Sequence, residues 1–233
     1  MNTADYGKCA SRIADALKMS PGEKVLIKLD TRVFNPLLPP LQNLIRASGA
    51  HISGVILAED TAASSDQELD SLRRLFSNAD IFIWLPELHQ GNRPAVSRAL
   101  GEWLDGGRGR AVHFHWHSGS YQIGFAELPQ QDFIDRIYLA ALDVSPEDLA
   151  RKHQRAISLL RSGRVRVTTP EGTDISFDVG DRPFCSQIGD ATRARMQSAR
   201  TRIDRDTELP AGVLRVAPIE TSANGSVFLP VWR

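Results

Sequence analysis

Along the first 145 residues, amphipathic stretches alternate with short apolar runs. Ile13, Ala14, Ala16 and Leu17 fit a helix over about 5–18, and "MSPGEK" then turns the chain at Pro21 and Gly22. "KVLIKLD" is a short apolar run closed by an acid, the pattern of a buried strand. Pro39 and Pro40 open a helix over about 40–48, where a missing N–H does no harm, and Gly49 supplies its stop. "AHISGVILA" reads as a second strand, "DQELDSLRRLF" as a helix begun by an acid, and "DIFIWLP" as a third strand. "PAVSRALGEWL" follows as a helix and "RAVHFHWH" as a fourth strand. Repeated strand–helix units predict a parallel sheet with helices packed on it.

The pattern then changes. Helices are expected over about 129–142 and 146–161, the second with Ser145 as N-cap, Pro146 in its first turn and acids where the helix dipole favours them. "RVRVTT", the turn "PEG" and "TDISFDV" predict a hairpin with Val165, Val167, Ile175, Phe177 and Val179 in alternation. Residues 190–205 fit either a basic helix or a long loop. "GVLRVAP" and "GSVFLPVW" read as two further strands around the turn "SANG". The expected fold is therefore α/β: a parallel sheet flanked by helices over 1–145, then a helix and an incomplete strand-rich domain over 146–233.

Composition narrows the class. The 233 residues are 42% hydrophobic and 24% charged, which fits a water-soluble globular chain. No apolar run approaches the ~20 residues of a membrane span, and the N-terminus has no signal-peptide core. Cys9 and Cys185 match no zinc spacing and read as free thiols in a reducing cytoplasm. The zero net charge conceals a split. Residues 1–150 hold 14 basic and 19 acidic side chains, a net of −5, and residues 151–233 hold 14 and 9, a net of +5. That asymmetry is too mild to imply nucleic acid.

Candidate chemistry is sparse. The glycines of "DGGRGRAVHF" precede a strand, whereas a phosphate loop follows a strand and opens a helix. No Gly-x-Ser-x-Gly elbow is present. Half of the six histidines stand in His113-Phe-His115-Trp-His117. On a strand the three histidines share one face, and Phe114 and Trp116 take the other. Three readings stay open: a metal site, a substrate pocket, or hydrogen-bonded structure. The outer pair stand about 13 Å apart against Zn–N bonds of about 2.1 Å, so a metal takes one His-x-His pair and borrows other ligands. As a pocket, His115 and His117 lie where ligands of open parallel sheets collect, beyond the carboxyl ends of strands. Asp30, closing the first strand, is either a ligand contact there or a cap. Arg193, Arg195, Arg200, Arg202 and Arg205, with Asp190, Asp204 and Asp206 nearby, read as a solvated charged face rather than an anion site. Glu220 in "APIETSANG" is either catalytic or a turn cap.

Four segments together resemble the aminopeptidase T-like metallopeptidases, the thermophilic or AmpS-type enzymes: "LKMSPGEKVLIKLD", "LIRASGAHISGVIL", "RVRVTTPEGTDISFDV" and "LPAGVLRVAPIETSANGSV". The last two carry most weight, because a Gly-Thr-Asp hairpin followed by Pro-x-Gly-x-x-x-x-Ala-Pro-x-Glu is an unusual order. The resemblance runs along nearly all of the chain but covers about the N-terminal two-thirds of a typical member. It implies an N-terminal α/β domain, a C-terminal catalytic domain, a homodimer, and divalent metals (zinc, cobalt or manganese) that activate water for leucyl or broader aminopeptidase cleavage.

Against that pattern, the position following Pro-x-Gly, where the family holds its first metal-binding Glu, is Val213. The family's remaining ligands belong to a region beyond residue 233, so no metal is expected on this chain. Only Glu220 matches, as the carboxylate after Ala-Pro. An apolar residue at that point is similar to the Fe(II) ring-cleaving dihydroxypyridine dioxygenases, whose two His and one Asp also lie further on. Three expectations follow: a shortened aminopeptidase relative without peptidase turnover of its own, a relative or fragment of such a dioxygenase, or a non-catalytic module that binds a small molecule or peptide. The apolar run "SVFLPVWR" adds an expected self-association through Phe228 or Trp232.

Overall fold

The computed structural model describes residues 1–58, 65–87, 94–116 and 130–229. The chain opens with α1 (Thr3–Leu17), β1 (Lys24–Leu29), α2 (Leu38–Ala47), β2 (His51–Leu57), α3 (Asp66–Ser77) and β3 (Ile81–Trp84). It continues through α4 (Pro94–Asp105), β4 (Arg110–Phe114), α5 (Gln131–Ala141), α6 (Pro146–Arg161), β5 (Val165–Thr168) and β6 (Asp174–Phe177). Then come β7 (Cys185–Ser186), α7 (Arg193–Gln197), α8 (Arg202–Arg205), β8 (Asp206–Leu209), β9 (Leu214–Arg215) and β10 (Asn224–Ser226).

Two compact units result: residues 1–144 with 189–211, and residues 145–188 with 212–233. The first is built on a five-stranded sheet of order β2-β1-β3-β4-β8, with every pairing parallel. Helices cover both of its faces, so the central strands carry apolar side chains on both sides, which is why "KVLIKL" reads as a continuous run. On one face Val25, Ile27, Ile83, Val112 and Phe114 pack with Ile13 and Leu17 of α1 and Leu41 and Ile45 of α2. On the other, Leu26, Phe82 and Ala111 meet Leu69, Leu72 and Phe76 of α3 and Val96, Ala99 and Trp103 of α4. Each such fully buried side chain contributes about 1.5–3 kcal/mol. The second face is tight enough that a Cβ added to Gly109 would sit 1.8 Å from Trp103 Cζ2.

Local signals set the helix starts. Asn2 and Asp5 form a reciprocal capping box on α1, and Ser65 Oγ accepts from Glu68 N–H at the head of α3. Residues 189–211 settle the segment that fitted helix or loop: two short helices, then β8 on the edge of the main sheet beside β4. In the second unit, Ser145 caps α6 as expected, and the hairpin pairs Val165 with Phe177 and Val167 with Ile175. β10 adds to β6, and β7 pairs with β9, all antiparallel. His153 of α6 bonds Ser186 Oγ through Nδ1 at 2.7 Å and the Gly212 carbonyl through Nε2 at 3.2 Å, which ties the helix to β7 and to the segment leading into β9. Among the described residues no helix is long and apolar enough to cross a membrane, and Cys9 and Cys185 are not joined in a disulfide.

Candidate functional site

A row of paired residues crosses the sheet near its carboxyl ends: Ile56, Lys28, Trp84, His113 and Glu208 on successive strands β2, β1, β3, β4 and β8. Paired residues on parallel strands project to the same face. Two residues earlier that face carries Leu26, Phe82 and Ala111 on the three central strands and is apolar there. Here it becomes polar. Lys28 is fully buried and pairs with Glu87, which lies just past β3 and is itself buried. A lone buried ammonium costs several kcal/mol of lost hydration, so the carboxylate is required rather than incidental. Glu87 Oε1 also accepts the Trp84 indole N–H. Lys28 Nζ stands 4.7 Å from the Trp84 ring centroid, adding a cation–π contact.

Trp84 stacks in turn on His113, with centroids 4.6 Å apart and planes 14° from parallel. His113 lies against His115, with centroids 3.9 Å apart. Burial first, then neighbouring His115 and Lys28, push the His113 imidazole down to about 3, so it is neutral at pH 7. Both rings are partly buried. Phe114 and Trp116 occupy the opposite face. There they stack with centroids 5.8 Å apart, and Trp116 Nε1 donates to Asp135 Oδ1 at 2.9 Å.

The remaining sequence candidates take separate places. Asp30 is buried just beyond β1, and its carboxylate accepts the backbone N–H of Arg32 at 3.0 Å, Nε–H at 2.8 Å and Nη2–H at 2.7 Å. It fastens the turn that leaves the strand. His117 lies outside the described residues. In the second unit Glu220 begins a 3-10 turn, with its exposed carboxylate on Arg182 Nη2 at 2.5 Å. Val213 is 39% exposed and contributes only its carbonyl, to the Gln187 N–H at 2.9 Å. Among the described residues no group of three or more His, Cys, Asp or Glu side chains could hold a metal. The donors among the described residues therefore form no set that fits the divalent metal the sequence resemblance implies. Sequence reasoning missed Lys28, Trp84 and Glu87. The available signal was a lysine inside an otherwise apolar strand, which only a buried partner tolerates.

No protein-family model matches the chain, and no curated protein matches it. Among solved structures it is similar to 2,5-dihydroxypyridine dioxygenase from Pseudomonas putida KT2440, with a TM-score of 0.58 and 16% identity over 97% of this chain and 59% of that one. It is likewise similar to wild-type AmpT from Thermus thermophilus, with a TM-score of 0.56 and 17% identity over 96% of this chain and 64% of that one. Such identities show a shared fold: an α/β scaffold with a parallel sheet flanked by helices. The chain spans less than two thirds of either structure.

Proposed function

We propose that this chain is the scaffold and small-molecule-binding portion of a distant relative of AmpT or of 2,5-dihydroxypyridine dioxygenase, with its ligand site at the carboxyl edge of β1, β3 and β4. One observation carries the reading: the polar row Lys28–Trp84–His113, closed by Glu87 and His115, on a face whose central strands are otherwise apolar. In open α/β sheets ligands settle outside the carboxyl ends where strand order reverses. Here the chain leaves β1 for β2 on one side and returns to β3 on the other, so the reversal falls between β1 and β3. Lys28 is held by Glu87 and His113 by Trp84, which fixes hydrogen-bonding groups in place before any ligand arrives. A small polar molecule, exchanging hydrogen bonds with His115 at the strand end, suits such a site. Peptide cleavage by this chain is not part of the proposal, because Val213 offers no donor where the family resemblance places a metal-binding carboxylate.

The test titrates 15N-labelled protein with a set of small polar heteroaromatics and amino-acid amides that includes 2,5-dihydroxypyridine and L-leucinamide. A binder should shift the Trp84 indole and His115 imidazole signals, and His115→Ala should abolish the response while the spectrum stays that of a folded protein. Response to no probe, or an unchanged response in His115→Ala, defeats the reading. In parallel, aminoacyl-p-nitroanilide hydrolysis with added cobalt, zinc or manganese should be absent. Chelator-sensitive turnover by homogeneous protein would restore the peptidase assignment.

A further inference from the structure

The opposite, amino edge of the same sheet carries a second feature that the site above does not use. A cavity of about 150 Å³ opens there, lined by Arg108, Arg110, Arg193 and Arg205 with Asp80. These residues stand at the starts of β3, β4 and β8 and in α7 and α8, all within the first unit. Two carboxylates stand against these cations: Asp80 in the lining, and Glu23, which bonds two of the four guanidinium groups. Glu23 is buried and takes Arg110 Nη1 at 2.7 Å and Nη2 at 2.9 Å, together with Arg193 Nε at 2.9 Å. Asp80 is engaged by the Lys24 backbone N–H at 2.9 Å. Four cations against these two anions leave an excess of two positive charges around one small opening.

The surplus lies on particular residues. Arg108 forms no ion pair among the described residues, and Arg205 reaches only the Gly107 carbonyl, at 3.4 Å. Arg110, 3% exposed and locked by Glu23, keeps a buried Nε–H with no acceptor. A buried donor left without a partner costs about 1–3 kcal/mol. Guanidinium groups lining one small opening present planar N–H forks that match oxyanions.

We propose that this amino-edge cavity binds a small dianion of the phosphate class, with Arg108 and Arg205 supplying most of the attraction and the Glu23-fixed Arg110 and Arg193 framing it. The size agrees. Drug-sized ligands need pockets of roughly 300–1,000 Å³, so this opening suits a single phosphate group and not a whole nucleotide. The anion is recognised by side-chain forks converging from the starts of β4 and β8 and from α7, and not by a helix N-terminus.

Calorimetric titration with inorganic phosphate at fixed ionic strength, maintained with sodium chloride, tests the site, and sn-glycerol 3-phosphate serves as a monoester probe. Both should bind with one-to-one stoichiometry. Arg108 is exposed and Arg205 is not part of the core, so Arg108→Ala/Arg205→Ala should stay folded yet bind phosphate at least tenfold more weakly. Arg46→Ala/Arg151→Ala, altered elsewhere on the surface, should bind as the parent does. Equal heats for phosphate and chloride, or an unchanged affinity in Arg108→Ala/Arg205→Ala, overturns the proposal. Because this site shares no residue with the carboxyl edge, either result leaves the Trp84 and His115 titration unaffected.

Discussion

Lys28 and Glu87, 59 residues apart in sequence, form an ion pair withdrawn from water on both sides, and the same carboxylate oxygen accepts the Trp84 indole N–H. Removing one member of such a pair strands the other charge, at a cost of about 3–5 kcal/mol. Lys28→Met should lower unfolding stability by that amount in urea titrations. Lys28→Met/Glu87→Gln should recover most of the loss, because glutamine is uncharged yet keeps an oxygen for Trp84. If the two single losses simply added in the double variant, the charges would not be coupled and the pair would not organise this end of the sheet.

His113 sets a pH dependence. Burial, then His115 and Lys28, hold its folded-state pKa at about 3 against an ordinary value of 6.5. The unfolded chain therefore takes up a proton that the folded chain refuses, and stability declines as pH falls from about 6.5 towards about 3. Between pH 7 and pH 5 linkage gives a loss of about 2 kcal/mol from this group. His113→Phe keeps a ring for Trp84 to stack on and cannot titrate. Urea unfolding at the two pH values should show the parent losing about 2 kcal/mol more than the variant. Parallel pH profiles would place the imidazole in contact with water and contradict the stacked arrangement.

The parallel sheet was legible in the sequence because its central strands are buried on both faces. "KVLIKL" and "IFIW" cannot be mistaken for solvated segments, and Ser145 or Pro146 mark their helix through local hydrogen-bonding chemistry alone. β8 was not legible. "DTEL" holds one apolar residue, and its strand conformation comes from the ladder to β4 and from Thr207 Oγ donating to the Asp190 carbonyl at 3.2 Å. The histidine row was visible as a pattern, yet its surroundings depend on Trp84 and Lys28 from other strands, a relationship that only register supplies. The arginines of 193–205 read as a solvated face, and Arg193, Arg200 and Arg202 are exposed, but the pattern did not show what stands beside them. Glu23, which takes Arg193, comes from a distant segment, as do Arg108 and Arg110, which line the same cavity as Arg193 and Arg205.

The geometry of the ladder bears on metal binding. The His113 and His115 rings lie over one another with centroids 3.9 Å apart and planes tilted by 31°, whereas two imidazoles sharing an ion direct their ring edges at one point about 2.1 Å from each nitrogen. Reaching that arrangement requires His113 to leave the Trp84 stack, and no group of three donors stands ready among the described residues. Zinc or nickel titrated at pH 7 should therefore show no site tighter than about micromolar, equivalent to about 8 kcal/mol. His115→Ala/His117→Ala should leave the titration unchanged. A stoichiometric nanomolar site that disappears in this double variant would make the ladder a metal centre, with His117 moving into the role that the His113 stack forbids.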